Sequence, residues 1–276
     1  MDKKIALFVQ LLQVKRYSTS SIETYVNAFR QFLTHFINAD VDLLNKKQIE
    51  HYINFMVTDR KISVSYQKQL VAAIKFWYQD VLGKKMQLDY LYPDRGEFKI
   101  PVVFSQAEVK LILENSENLK HKAILATVYS CGLRVSELTN LKITDIDSNT
   151  MTVTIRQSKG NRDRVVVLAE KLLVLLREYF KEYKPKDYLF EGRANGRYSE
   201  RSVQQILKQI LTKLKISKQG SVHSLRHSYA THLIEQGTDV RFVKDLLGHK
   251  SIKTTLIYTH LTDPAKRKIK SPLDNL

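Results

Sequence analysis

The chain has 276 residues, more than a typical single domain, with 45 Lys and Arg against 28 Asp and Glu for a formal net charge of +17. That excess is larger than solubility needs and is present in both halves, so it points to a polyanion, nucleic acid ahead of an anionic membrane surface. Cys131 is the single cysteine, which excludes an internal disulfide and a multi-cysteine metal site and fits a reducing, cytoplasmic setting.

The opening apolar run, Ile5 to Leu12, is broken by Gln10 and followed by no small-residue cleavage site, which argues against a signal peptide. No window reaches about 18 uninterrupted apolar residues, so no membrane span is expected. The first 80 or so residues read as a compact helical bundle. Ser18 to Ser21 offer N-caps before Ile22, Tyr25, Val26, Phe29, Phe32, Leu33 and Phe36, which recur at helical spacing. Asn45 caps a helix carrying Ile49, Tyr52, Ile53 and Met56. Ser63 or Ser65 starts another, with Leu70, Ile74, Trp77 and Tyr78 inside and Lys68 and Lys75 elsewhere on its surface.

Periodicity then fails, and Pro93, Gly96 and Pro101 punctuate a charged stretch. This predicts a helical domain over residues 1–83, an extended linker over 84–104 and a second domain over 105–276. Ser105 with Glu108 makes a capping-box pattern at the start of that second domain, and a further helix is expected from Leu119 to Cys131. Between Asp147 and Leu168 the period changes to alternation, with Val153 and Ile155 on one face and Val165 to Leu168 as a second β-prone run. A β-hairpin with Lys159 and Gly160 at its turn follows. Helices resume after Asp187, and Ser251 is placed to cap a last one over Ile252 to Tyr258. The fold class is therefore mainly α, with one mixed α/β domain carrying a small antiparallel sheet.

Four patches hold groups suited to a phosphodiester: YSCGLRVSEL, QSKGNRDR, HSLRHSYATH and LLGHKSIKTTLIYTH. Gly132 breaks a helix and sets Arg134 at a turn, where a planar guanidinium can grip two phosphate oxygens, although pairing with Glu137 is the plainer reading. His223 and Arg226 stand three apart and share a helix face. Gly248 reads as a left-handed helix cap that brings His249 in from a loop. Tyr258, between Ile257 and Leu261, is on its own a core tyrosine, and Lys159 an exposed turn lysine. A metal held by His227 and His232 is disfavoured, since no carboxylate or cysteine sits among them and Arg226 is adjacent. No phosphate-binding G-x-x-x-x-G-K-[ST] loop and no dense carboxylate cluster occur, which speaks against ATP use and two-metal nuclease chemistry.

In order and wording these patches resemble the tyrosine recombinase, or phage integrase, family, across the whole second domain and more loosely the first. The resemblance implies a core-binding helical domain followed by a catalytic domain. Arg134, His223, Arg226 and His249 would bind and neutralise the scissile phosphate, with Glu137 and His227 in support, Lys159 protonating the leaving 5′ oxygen and Tyr258 as nucleophile. It further implies a 3′-phosphotyrosyl link, a Holliday junction, no metal, no cofactor, and a homo-tetramer on two double-stranded DNA sites, with or without a second recombinase. Lys68 and Lys75 become candidate DNA contacts, and Ile269, Leu273 and Leu276 a surface for exchanging the C-terminal segment. The size is similar to Xer-type, integron and simple transposon integrases. A type IB topoisomerase would use the same chemistry, and a catalytically inactive DNA-binding accessory protein would keep the fold, but the two-domain layout, the box wording and the full polar set favour a recombinase.

Overall fold

The computed structural model describes residues 1–94, 101–158 and 162–259, and the chain divides into two compact units, Met1–Lys99 and Ile100–Leu276. In the first, the described residues form four α-helices, α1 (Asp2–Val14), α2 (Thr19–His35), α3 (Lys46–Thr58) and α4 (Val64–Phe76). Three of them begin where a side-chain oxygen can take up an orphan backbone N–H. Ser18 accepts from Ser21 N, Asn45 and Gln48 form a reciprocal capping box, and Ser63, rather than Ser65, accepts from Tyr66 N. The apolar stripes meet in one core, where Phe29 stacks on Phe8 at 4.4 Å and lies 4.8 Å from Trp77. Such aromatic pairs contribute about 0.5–1.5 kcal/mol beyond their area. After α4 a single π-turn, Trp77–Val81, keeps both Trp77 and Tyr78 facing inward.

The expected linker over residues 84–104 is too long at both ends. Leu88 is fully buried in the first core, and a short 3-10 turn, Asp89–Leu91, is held there by the Gln67 amide donating to Leu91 O at 2.9 Å. Phe104 is fully buried in the second core, its N–H donating to Ser228 Oγ at 2.8 Å. Isolated apolar side chains can fill a groove without belonging to any periodic element, so periodicity alone does not reveal them.

The second unit contains α5 (Gln106–Glu114), α6 (Leu119–Cys131), α7 (Val135–Asn140), β1 (Ile146–Asp147), β2 (Thr152–Ser158), β3 (Arg162–Val167), α8 (Glu170–Tyr183), α9 (Glu200–Lys213), α10 (Val222–Glu235), α11 (Val240–Leu247) and α12 (Lys253–Leu256). Helix α6 is the central post. It packs on α5, α7, α8, α9 and α10 and buries Ala123, Ile124, Leu125, Thr127, Val128 and Cys131, so it shows no polar stripe. The strands form an antiparallel sheet in the order β1-β2-β3, with Val153 opposite Val166 and Ile155 opposite Arg164. Strand β1 was not expected; at two residues it is too short to show alternation. The hairpin strands lie as predicted, whereas Lys159 and Gly160 fall outside the described residues. The last helix is shorter than expected: α12 ends at Leu256, and Tyr258 follows in a turn with its N–H on Thr255 O at 3.0 Å. Residues 269, 273 and 276 also lie outside the described part.

Gly132 ends α6 in the left-handed region, φ +59°, and a Cβ there would stand 2.4 Å from the Tyr229 ring. Gly132→Ala therefore combines backbone strain with a clash in the packed interior, and should destabilise the second unit by about 2 kcal/mol. Urea denaturation followed by circular dichroism checks this; an unchanged midpoint would show that the corner relaxes freely.

Candidate active site

Three separate elements meet at one buried carboxylate. The Gly132 turn delivers Arg134 as the N-cap of α7, and Glu137, at the third position of that helix, reaches back to it. Glu137 Oε2 accepts the Arg134 backbone N–H at 2.9 Å and Oε1 accepts its guanidinium at 2.6 Å. From β3, Arg164 donates to both carboxylate oxygens, at 2.9 and 2.7 Å. From α10, Arg226 Nη1 lies 3.6 Å from Oε2. Burial by itself would raise the Glu137 pKa, but the hydrogen bond and charge of Arg164, the Arg134 N–H and the charge of Arg226 outweigh it and hold the carboxyl at about 2.

The same arginines close the C-terminal end of α11, whose last carbonyls lack helical partners and carry the negative end of the helix dipole. Arg164 Nε donates to Leu246 O at 2.7 Å, and Arg226 Nη2 to Leu247 O at 2.6 Å. Arg226 also donates through Nη1 to Gly132 O at 2.6 Å, so one side chain ties the end of α6 to the end of α11. Only 1% of Arg226 is exposed, and its Nε is buried without a hydrogen-bond partner among the described residues. Burial first, then Arg134, pushes its pKa down to about 9, which still leaves it charged at neutral pH.

Gly248 caps α11 at φ +64° and turns the chain so that His249 faces this cluster. Arg226 Nη2 lies 3.2 Å from His249 Nε2. A guanidinium can only donate, so Nε2 is the acceptor, the ring proton sits on Nδ1, and Nδ1 donates to the Thr255 hydroxyl at 2.9 Å. Burial and the charges of Arg226 and Arg134 keep His249 neutral, with a pKa of about 4. His223 reaches solvent on the first turn of α10; desolvation of its inner side, then Arg226 and Arg134, lowers its pKa.

Tyr258 is buried, 2% exposed, in a satellite cluster with Ala230, Val243 and Leu247. Its hydroxyl is 2.8 Å from His227 Nδ1, and its ring lies nearly parallel to that of His249 at 6.4 Å. Burial raises its pKa while Arg226 and Arg134 pull it down, so the phenol is protonated at neutral pH. Arg134, Glu137, His223, Arg226, His227, His249 and Tyr258 are thus brought together, and Lys159 lies outside the described residues. Lys68 is exposed on α4, but Lys75 pairs with Asp89 at 2.5 Å. His232 is directed away from the site, its Nδ1 2.8 Å from the Tyr129 hydroxyl. Among the described residues no three of His, Cys, Asp and Glu gather as a metal-ligand set, and no helix is long and apolar enough to cross a membrane.

Arg164 and Thr255 escaped the sequence reading. Arg164 had a signal: it shares the inward parity of Val166 and Leu168, so a charge there must find a buried partner. Thr255, one of two adjacent threonines, had none.

The second unit matches the phage integrase family over residues 102–264, and the first matches the N-terminal SAM-like domain of phage integrases over residues 5–88. The chain belongs to the phage integrase family, the tyrosine recombinases. A tyrosine recombinase of Thermosipho africanus is 31% identical over 280 residues, spanning 96% of this chain and 98% of that protein. The crystal structure of XerA recombinase is 32% identical and covers 97% of this chain and 96% of its own, with a TM-score of 0.57. The XerH site-specific recombinase, in a post-cleavage complex with a palindromic difH substrate, shares the fold at a TM-score of 0.74 and 20% identity, covering 94% of this chain and 81% of its own.

In this recombinase the ionised Glu137 stabilises the fold above the ordinary carboxylate value of 4.5, and that contribution is lost as pH falls toward about 2. Glu137→Gln leaves Arg164 and its neighbours uncompensated and should cost about 3 kcal/mol at pH 7, with the gap to the parent chain narrowing below pH 4.5. Denaturation curves at pH 7, 4 and 3 measure it; a gap that does not change with pH would contradict the network.

Proposed function

We propose that this recombinase cuts and rejoins double-stranded DNA by direct attack of the Tyr258 hydroxyl on a backbone phosphodiester, forming a 3′-phosphotyrosyl link. The observation that supports the reading is the Tyr258 hydroxyl 2.8 Å from His227 Nδ1, on the helix that carries Arg226, where the charges of Arg226 and Arg134 oppose the rise in its pKa that burial causes. In-line attack loads negative charge onto the non-bridging phosphate oxygens. Arg134 and Arg226, with His223, supply positioned donors for that charge, each typically worth about 2.7–4 kcal/mol in such sites. Arg226 Nε, buried without a partner among the described residues, is a further donor at this site. A phosphate would also compete with His249 for Arg226 Nη2, releasing the imidazole to turn toward the substrate.

Lys159, on the segment joining β2 and β3, is assigned the proton given to the leaving 5′ oxygen. A 5′ hydroxyl from a partner duplex then attacks the phosphotyrosine and restores the backbone. One phosphodiester is exchanged for another through an ester of similar energy, so neither ATP nor a metal is called for. Strand exchange between two sites implies four protomers and a Holliday junction, and the Tn1549 transposon integrase, solved in complex with circular intermediate DNA, supports a DNA substrate here. Along the first unit Lys68 is the better phosphate contact, because Lys75 would have to leave Asp89. The net charge of +17 predicts strongly salt-dependent binding.

The test uses a nicked duplex, selected from a randomised library for binding to the parent protein, whose cleaved end diffuses away and traps the covalent complex. A denaturing gel should show an adduct in excess chelator and none with Tyr258→Phe, which still binds. An adduct that survives Tyr258→Phe, or a strict requirement for Mg²⁺, would contradict the reading.

A further inference from the structure

A tyrosine that attacks phosphorus must lose its proton, and the roles assigned above name no group to take it. The candidates within the site are few. Glu137 is committed to three arginines. His249 turns toward the substrate once a phosphate takes Arg226 Nη2, its Nδ1 stays on the Thr255 hydroxyl, and it makes no hydrogen bond to the phenol. His223 meets the edge of the His227 ring, centroids 4.5 Å apart at 84°, and also makes no bond to Tyr258. His227 alone among these side chains touches the reacting atom, with Nδ1 2.8 Å from the Tyr258 hydroxyl.

We infer that His227 is the catalytic base for Tyr258, accepting the phenolic proton in cleavage and returning it in rejoining; this rests on the assignment of Tyr258 as nucleophile. Its place is fixed by a rigid element, since it follows Arg226 directly on α10, one turn after His223, and α10 packs against the tyrosine through Ala230. It is also in the right protonation state. Burial, then His223 and Arg226, lowers its pKa to about 4, so the ring is neutral and can hold its proton on Nε2 with Nδ1 open as acceptor. A base that weak does not deprotonate a resting phenol. Transfer occurs as the bond to phosphorus forms, when the phenolic proton becomes strongly acidic and the negative charge gathering on the phosphate stabilises the imidazolium.

The step balances. A lone pair of the Tyr258 oxygen forms the new O–P bond, the bond from phosphorus to the 5′ oxygen breaks, the phenolic proton moves to His227 Nδ1, and the leaving oxygen takes a separate proton, assigned to Lys159. In rejoining, the incoming 5′ hydroxyl forms the new O–P bond and gives its proton back to the group that supplied it in cleavage, assigned to Lys159, while the O–P bond to the tyrosine breaks and the phenol recovers its proton from His227.

His227→Asn is the informative variant, because its amide oxygen can keep a hydrogen bond near the Nδ1 position but cannot take a proton. Single-turnover cleavage of the selected nicked duplex is read on the DNA-bound fraction, so that a folding defect appears as lost binding and not as a slow rate. We expect cleavage slowed by about 10²–10⁴-fold. A 5′-bridging phosphorothiolate, whose sulfur leaves without protonation, should rescue Lys159→Ala and leave His227→Asn slow. Cleavage by His227→Asn at the parent rate, or its full rescue by the phosphorothiolate, would overturn the inference while Tyr258→Phe stays inactive. An adduct in Tyr258→Phe would instead bring down the nucleophile assignment beneath it.

Discussion

The arrangement depends on one buried carboxylate. Glu137 stands at the start of α7 and receives Arg134 from its own helix, Arg164 from the sheet and the charge of Arg226 from α10. Without it, three guanidiniums would share a poorly solvated space with no counter-charge, at a cost of about 3 kcal/mol in stability. With it, they are held a few ångströms apart in fixed directions. The cluster remains short of negative charge, three arginines against one carboxylate among the described residues. That deficit is the electrostatic form of a phosphate site.

The arginines join chain segments as well as bearing charge. Arg226 and Arg164 each use part of their donor set on the terminal carbonyls of α11, the element that leads through Gly248 to His249 and on to Tyr258. The positions of the proposed nucleophile and of its neighbours are therefore coupled to Arg226, which would meet the substrate, and to Arg164, which holds the carboxylate. A Lys at either position would lose the fork that allows one side chain to satisfy a carbonyl and a carboxylate together. Structural and chemical demands fall on the same atoms, which explains why a charge so completely buried as Arg226 is tolerated.

Much of this was legible in the sequence, for identifiable reasons. Helix starts at Ser18, Asn45, Ser63 and Ser105, and left-handed ends at Gly132 and Gly248, follow from local chemistry that the sequence displays directly. The inward faces of β2 and β3 were visible in alternation. Leu88 and Phe104 were misplaced in a linker because burial of a lone side chain leaves no periodic trace. Within the site, Arg134, Glu137, Arg226, His249 and Tyr258 were identifiable through motif wording, which no single residue supplies. The contact between His227 and Tyr258 joins positions 31 residues apart and required the fold. Arg164 was within reach of the alternation rule and was hidden by the many basic residues around it.

The central claim is that Tyr258 carries the covalent bond to DNA. Peptide mass spectrometry of the trapped complex, after nuclease and protease digestion, tests it most directly. The expected product is a nucleotide joined through its 3′ phosphate to the peptide containing Tyr258. A nucleotide on any other residue, or attachment through a 5′ phosphate, would contradict it.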